Sequence, residues 1–381
     1  MKVVAVAADM VTAYGWGSQR CWSGLMSGKT AIRRFDRISR PGFPVENAAF
    51  VAGLDPDGND TLVMQMLRPL MEGCASAIPR DAFLILATTN GEIDILERAV
   101  LNGSSDVGGS RLDHLLGKIE RLCELSNPGM VVCAACASSS AAVAAGAAMI
   151  REGRRDCVLA VGCDNVSEFV AAGFASLRAL DPDMARPFDR NRRGLSLGEA
   201  AGFMLLMSDQ RAEREGRPAL AEVLGWGMTG DAHHITGPSP DGNGLALALQ
   251  KALQSAGISP EEVGSFCAHG TGTAYNDSME MRAIRSVLRD RPVPVYSLKG
   301  AVGHSMGTAG LVDLIVAIQT LAEEVVPPTV NLRDIDDEAR GWVSSQPVPC
   351  AGDVALSSNS GFGGIKCAIV LKRPSGRQPI Q

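Results

Sequence analysis

Residues 137–150 read ASSSAAVAAGAAMI, without a charge at any position. A helix lacking a polar face must be buried on every side. Its small side chains let neighbours approach closely from several directions, so the expected setting is a central helix between two sheets. The rest of the chain fits that demand. Short β-branched runs alternate with longer Ala/Leu-rich segments, a pattern that favours an α/β fold with parallel pairing. Strands are predicted at 2–8, 82–87, 130–134, 157–162, 201–206, 219–226, 293–297, 353–357 and 367–372. Helices are predicted at 18–27, 61–77, 92–101, 111–124, 137–152, 167–178, 244–256, 278–289, 307–323 and 334–340. The plan occurs twice. VVCAACASSSAAVAAGAAMI is a strand, a turn of small residues and a helix, and VYSLKGAVGHSMGTAGLVDLIVAI at 295–318 repeats it. Each is followed by a segment ending in a strand (156–168 and 353–364), which reads as an internal duplication. The halves would meet near the charged stretch SDQRAEREGRPA, giving an N-terminal half 1–212 and a C-terminal half 213–381.

Charge and composition narrow the function. With 36 Lys+Arg against 42 Asp+Glu the net charge is −6, which does not favour nucleic acid or anionic membranes. Three Tyr and four Trp are too few for a base-stacking platform. The N-terminal run MKVVAVAADMVTAYG is short and broken by Asp9, unlike a signal peptide. No window of about 18 uninterrupted apolar residues suggests a membrane span. Ten scattered cysteines without a secretory signal are expected to be reduced thiols in the cytoplasm.

Two of those cysteines, Cys133 and Cys136, stand at the front of the charge-free helix. A zinc site would need two more ligands, yet no second CxxC and no nearby His is present. A thioredoxin-like pair is weakened by the two intervening alanines and by the lack of a flanking aromatic. Packing of two inert small residues is the plain alternative. The histidines weigh on this choice. Of five, His269 in CAHGTGT and His304 in VGHSMGTAG lie in glycine-rich turns. Either alone reads as structural, but together with a Cys at a strand-to-helix junction they suggest nucleophilic chemistry. Helix N-termini stabilise thiolates, which favours Cys136 as the nucleophile, with Cys133 packed back on the strand.

At this point the chain resembles a family. ACASS (135–139), RPFDRNRRGLSLGEAAG (186–202), DAHHIT (231–236), AHGTGTAYND (268–277), SLKGAVGHSMGTAG (297–310) and NSGFGG (359–364) resemble the β-ketoacyl-ACP synthases of the decarboxylating Cys-His-His type. The motifs fall in the expected order, and the resemblance spans about residues 1–372. It implies a thiolase-like fold of two duplicated α/β halves in an α-β-α-β-α arrangement, usually dimeric, as a homodimer or with a ketosynthase-like subunit. It also implies acyl transfer to Cys136, decarboxylation of a malonyl thioester and attack of the resulting carbanion on the acyl-Cys. No cofactor and no metal is implied, because the substrates ride on the phosphopantetheine of an acyl carrier protein. The resemblance gives His269 and His304 as neutral donors to the malonyl thioester oxygen, with Lys299 and Asp313 behind them. The N–H groups of Cys136 and Phe362 would form an oxyanion hole, and Phe362 with Gly363 a gate. Thr236, Thr271 and Thr273 match pantetheine-binding threonines. The basic cluster Arg190, Arg192 and Arg193 would meet the acidic carrier protein, with Arg192 at its centre.

The chain departs from the family pattern in places. Asp313 stands where Glu is usual, Cys267 where a polar residue such as Asn is common, and the segment from Gly91 to Cys136 is shortened. Asn90 falls where an apolar acyl-pocket residue is usual, which suggests a polar or short acyl group. Two other functions compete. A non-catalytic chain-length partner would usually lack the nucleophile, and a CoA-dependent thiolase-type enzyme would need a second C-terminal Cys, for which Cys350 and Cys367 are poorly placed.

Overall fold

The charge-free segment forms a helix, Ser138–Arg151, with ten of its fourteen residues buried, so it has no wet face. The computed structural model describes residues 1–38, 45–105, 107–289 and 291–374. What surrounds the helix is one sheet folded into two similar halves. Its principal strands are β1 (Val3–Thr12), β2 (Phe83–Ala87), β3 (Met130–Val132), β4 (Cys157–Asp164), β5 (Ala200–Ser208), β6 (Ala221–Gly230), β7 (Ser265–Cys267), β8 (Val295–Tyr296), β9 (Val354–Ser360) and β10 (Ile365–Lys372). They lie in the order β8-β7-β9-β10-β6-β1-β5-β4-β2-β3.

Within each half the order is third, second, fourth, fifth, first. In each, the second strand is parallel to the third and fourth, and the fifth is antiparallel to the fourth and first. This is the duplication expected from the two similar strand–turn–helix segments. The halves are stitched by β1 against β6, through only Val4↔Glu222 and Ala5↔Ala221.

The helices used below are α1 (Leu62–Glu72), α2 (Leu112–Leu122), α3 (Ser138–Arg151), α4 (Glu168–Ser176), α5 (Asn243–Ala256), α6 (Ala274–Leu288) and α7 (Ala309–Glu323). Helices α1 and α2 cover the outer face of the first half, and α5 and α6 that of the second. Between the halves, α3 and α7 share one core with residues of both. Small residues set their spacing. A Cβ on Gly310 would lie 2.1 Å from Ser140 Oγ, and one on Gly146 would lie 2.8 Å from Val158 Cγ1. Met306–Glu323, long and apolar enough by composition to cross a membrane, is this inner helix α7 with its leading turn.

Several elements differ from expectation. Strand β7, three residues long, was not anticipated, because so short a run carries no periodicity. The helix predicted at 334–340 is a single 3-10 turn, Asp337–Ala339. Asp336 there accepts from the Glu338 N–H, a local alternative to helix, and Gly341 at φ 83 turns the chain away. The helix predicted at 61–77 stops at Glu72, just after Pro69.

Candidate active site

Strand β3 runs into α3 through a tight turn in which Ala135 adopts φ 48. A non-glycine residue in that region costs roughly 1–2 kcal/mol. The turn is held by Ser138, whose Oγ accepts from Ala134 N–H at 2.8 Å and donates to Ala135 C=O at 2.6 Å. It presents Cys136, 6% exposed, to a cavity of ≈ 450 Å³. The cavity is also lined by His269, His304, Phe362, Thr236, Thr271 and Thr273. All are residues that the sequence singled out, drawn here from both halves.

His304 Nε2 lies 3.1 Å from Cys136 Sγ. The His269 and His304 rings meet edge to face, 5.2 Å apart. Burial first, and then the Lys299 charge, lowers the His304 pKa to about 3 and that of His269 well below its ordinary value, with His304 and Lys366 adding to the latter. Both rings are therefore neutral near pH 7. His304 Nδ1 is buried with no hydrogen-bond partner, so its neighbours fix neither tautomer: with the ring proton on Nδ1, Nε2 can accept the Cys136 thiol proton, and with it on Nε2 that nitrogen is a donor. His269 Nδ1 faces the Asn359 amide nitrogen at 3.5 Å. That amide is oriented by its 2.8 Å bond to Asp313 Oδ2 and by Ser140 Oγ on its oxygen. An NH2 facing Nδ1 makes Nδ1 the acceptor, so the His269 proton sits on Nε2. Lys299 and Asp313 form a fully buried ion pair at 3.3 Å behind the histidines.

The thiol is less acidic than its place at a helix N-terminus suggested. Burial pushes Cys136 up to about 12, against the opposing pull of Lys299 and of the Phe362 and Cys136 backbone N–H groups. Those two N–H groups are directed at the sulfur. Gly361 makes this approach possible, since a Cβ there would lie 2.8 Å from Ala134 C=O and 3.2 Å from Cys136 N. The resting nucleophile is a thiol with a neutral imidazole as its base. Cys133 is exposed at the end of the edge strand rather than packed, and all ten cysteines are free.

Other sequence candidates lie elsewhere. Asn90 does not line the cavity; its side chain donates to Thr89 Oγ1 and its N–H to the buried Asp164. The Arg192 side chain is 6% exposed and spent internally on Asp336, Ser278 Oγ and Asp189 C=O. It cannot head a basic surface patch. Arg190 is half-exposed but compensated by Asp334 and Asp337. Arg193 is the exposed member, 3.5 Å from Asp181, and it lines the cavity mouth with Arg178. Gly363, at φ 80, donates to Ile235 C=O at 2.6 Å and so joins the Phe362 turn to the Thr236 loop.

Sequence reasoning missed Phe174, on α4. Its ring lies 5.7 Å from that of Phe362 and 6.3 Å from that of His304. It also missed Glu280, which accepts the His269 and Gly270 N–H groups at 2.6 and 2.7 Å and fixes the first histidine's turn. Asn359 stood within the quoted NSGFGG motif, near the end of the fully buried strand VALSSNS.

Known proteins bear on this geometry. Residues 87–212 match the family model of the β-ketoacyl synthase N-terminal domain, and residues 220–333 that of the β-ketoacyl synthase C-terminal domain. The chain is 31% identical over 407 residues to a 3-oxoacyl-[acyl-carrier-protein] synthase 2 of Synechocystis sp., covering 98% of both. The solved ishigamide ketosynthase/chain length factor superposes with a TM-score of 0.89 at 28% identity, covering 98% of this chain and 99% of that one. A type II polyketide ketosynthase solved with its acyl-carrier protein superposes at 0.90, at 24% identity and with 98% and 99% coverage, and supports the fold alone. Coverage of whole chains, joined to a cysteine and two histidines meeting in one cavity, places this protein in the β-ketoacyl synthase family.

Proposed function

We propose that the chain catalyses decarboxylative Claisen condensation of an acyl group held on Cys136 with a malonyl thioester, giving a 3-oxoacyl product. The observation that carries this is Cys136 Sγ at 3.1 Å from a neutral His304, with His269 beside it and the cavity open to all three. In the first step the thiol attacks the acyl thioester carbonyl while its proton passes to His304 Nε2, the ring's own proton then being on Nδ1. The tetrahedral oxyanion is held by the Cys136 and Phe362 N–H groups. It collapses to acyl-Cys136, and the leaving carrier thiolate takes the proton back from His304. In the second step the malonyl C–C bond to the carboxylate breaks and CO2 leaves. The electron pair forms an enolate whose oxygen accepts from the His269 and His304 Nε2–H groups, the ring proton of His304 now being on Nε2. The enolate carbon attacks the acyl carbonyl, and the Cys136 thiolate is expelled and takes a proton from solvent.

The substrates would arrive on the phosphopantetheine of an acyl carrier protein, with no cofactor of the enzyme's own, in the reducing cytoplasm. Thr236, Thr271 and Thr273 line the way in. Incubation with a panel of acyl-ACPs should add one acyl mass to the intact chain, mapped to Cys136, and iodoacetamide should block it. Acylation of Cys133, or none with any acyl-ACP, would sink the reading.

Carrier docking is assigned to the cavity rim, where Arg178 and Arg193 lie among exposed Tyr275 and Leu177. Arg178→Glu should raise the KM for ACP-borne substrates, leave pantetheine thioesters near wild type, and mimic high salt, which screens such charges beyond about 10 Å. Arg192→Glu should instead harm both substrate types, through its buried partners. Equal loss on both with Arg178→Glu would remove it from docking.

A second chain of the same fold is proposed to dock at β3. The outer edge of β8, its counterpart in the other half, is covered by Trp342 and Val343 of the same chain. Among the described residues, β3 pairs only with β2 and leaves a half-buried apolar edge, Met130–Val132. Bare edges of this kind invite strand pairing. The name of the ishigamide structure, ketosynthase/chain length factor, supports a heterodimer; the purified chain running as a monomer in native mass spectrometry would refute self-pairing.

A further inference from the structure

An enzyme of this kind must take two different thioesters into one cavity and tell them apart. The extender differs from the acyl primer by a carboxylate, and bringing a carboxylate in from water is costly unless a cation meets it. Of the groups assigned so far, Arg178 and Arg193 lie at the exposed rim and Lys299 is spent on Asp313 behind the histidines. The cavity wall nevertheless carries a cation. Lys366, 1% exposed, lines it directly after the Phe362 turn. Its Nζ is 3.1 Å from Asp231 Oδ2, its only ion-pair partner among the described residues. An ammonium has three protons to give, so this pairing leaves it donors to spare.

Beside it, Ser360 lies directly across the β9–β10 ladder, on the same face of the sheet. Ser360 Oγ is buried, has no hydrogen-bond partner and belongs to the same cavity. Asp231 in turn has a buried, unpartnered Oδ1, while its Oδ2 also accepts from the Ser239 N–H at 3.1 Å. The cluster lies on the His269 side of the cavity. The Lys366 charge acts on His269, after burial, Lys299 and His304, whereas only burial and Lys299 act on His304.

We propose that Lys366 and Ser360 form a specificity site for the carboxylate of the extender thioester. This rests on the reading of the cavity as one for a malonyl-type extender. The carboxylate accepts from Lys366 Nζ and Ser360 Oγ, a charge-assisted contact that a plain acyl primer cannot make. Asp231 has a second purpose here. A lysine without a counter-ion would hold the carboxylate so firmly that its loss as CO2 would be slowed, because only interactions kept in the transition state accelerate a step. Sharing Lys366 with Asp231 moderates that grip. When the C–C bond breaks and its electrons pass to the enolate oxygen at His269, neutral CO2 departs and Lys366 returns to Asp231 alone.

The test uses the double variant Lys366→Met/Asp231→Asn, which removes both charges and leaves no buried ion unpaired, with Lys366→Arg as the conservative partner. Release of CO2 from malonyl-ACP and acylation of Cys136 by acyl-ACP are measured on each. The double variant should raise the KM for malonyl-ACP about tenfold, the value of one charged hydrogen bond. Its kcat should be little changed and Cys136 acylation should proceed as in wild type, while Lys366→Arg should restore part of the malonyl affinity. An unchanged malonyl KM would overturn the assignment. So would an equal fall in both reactions, which would make the Lys366–Asp231 pair a mere tie between the Phe362 turn and the Thr236 loop. A wild-type chain that turns over neither substrate defeats the functional reading, and this assignment with it.

Discussion

Cys136→Gln is expected to abolish condensation while leaving malonyl-ACP decarboxylation in place. The substitution removes the thiol that faces His304 at 3.1 Å. The glutamine carbonyl can sit between the Phe362 and residue-136 N–H groups as an acyl-cysteine would. Decarboxylation needs none of the thiol chemistry, only the two Nε2–H donors. His304→Ala and His269→Ala should therefore show the opposite pattern. Each deletes one donor to the developing enolate and should cost about two to three orders of magnitude in CO2 release. His269→Ala should still accept an acyl group on Cys136, because the base at 3.1 Å remains. Release of CO2 assayed beside intact mass separates the two steps. A histidine variant that decarboxylates at the wild-type rate would strike that ring from the enolate site.

Lys299→Met should damage the fold as well as the chemistry. It leaves Asp313 fully buried with Asn359 as its remaining hydrogen-bond partner among the described residues. Breaking a buried pair from one side costs about 3–5 kcal/mol. The pH dependence has a definite sign. Burial already raises the Asp313 pKa above its ordinary value, with Lys299 the main opposing influence; removing the lysine raises it further. An acid whose folded pKa lies above its unfolded one binds more protons in the native state, so stability falls as pH rises through that window. The stability deficit of Lys299→Met should thus be larger at pH 7 than at pH 5, by urea unfolding. Lys299→Met/Asp313→Asn should recover much of the stability but not the activity. Lys299 also helps to keep His304 and His269 neutral. Without it, the acid limb of decarboxylation should move toward neutral pH. A deficit that does not vary with pH would show that Asp313 is not the group left exposed to the loss.

The reacting groups were legible because they are chemically restricted. Cys136, His269, His304 and Lys299 are rare residue types in glycine-rich settings, and the chemistry tolerates few replacements. The duplicated halves were legible because the strand, small-residue turn and helix before residue 151 recur at 295–318. Pairings across long stretches of chain were not. Arg192 sits in a run of basic residues that reads as a surface patch, and only folding brings Asp336 to it across 144 residues. Asn90 was placed by the resemblance, where an apolar pocket residue is usual, but its amide turns to the adjacent Thr89. The acidity of Cys136 could not be read from its helix N-terminus alone, since burial outweighs the helix. Lys366 was passed over altogether. In a strand reading IKCAIVLK it looks like an ordinary edge charge until its burial against Asp231 is seen.

The nucleophile comes from one half of the sheet and its base from the other, 168 residues away. Among the described residues, the named strands join those halves over two residue pairs, with isolated bridges at Asp189↔Ile335 and Leu197↔His304. Contacts so distant in sequence carry a high closure cost and tend to form late. Until they form, Cys136 is an ordinary thiol on a turn, with no imidazole beside it and no N–H from Phe362. The reactive sulfur is thus armed by the final docking of the two halves, and a nascent or clipped chain carries the cysteine without its chemistry.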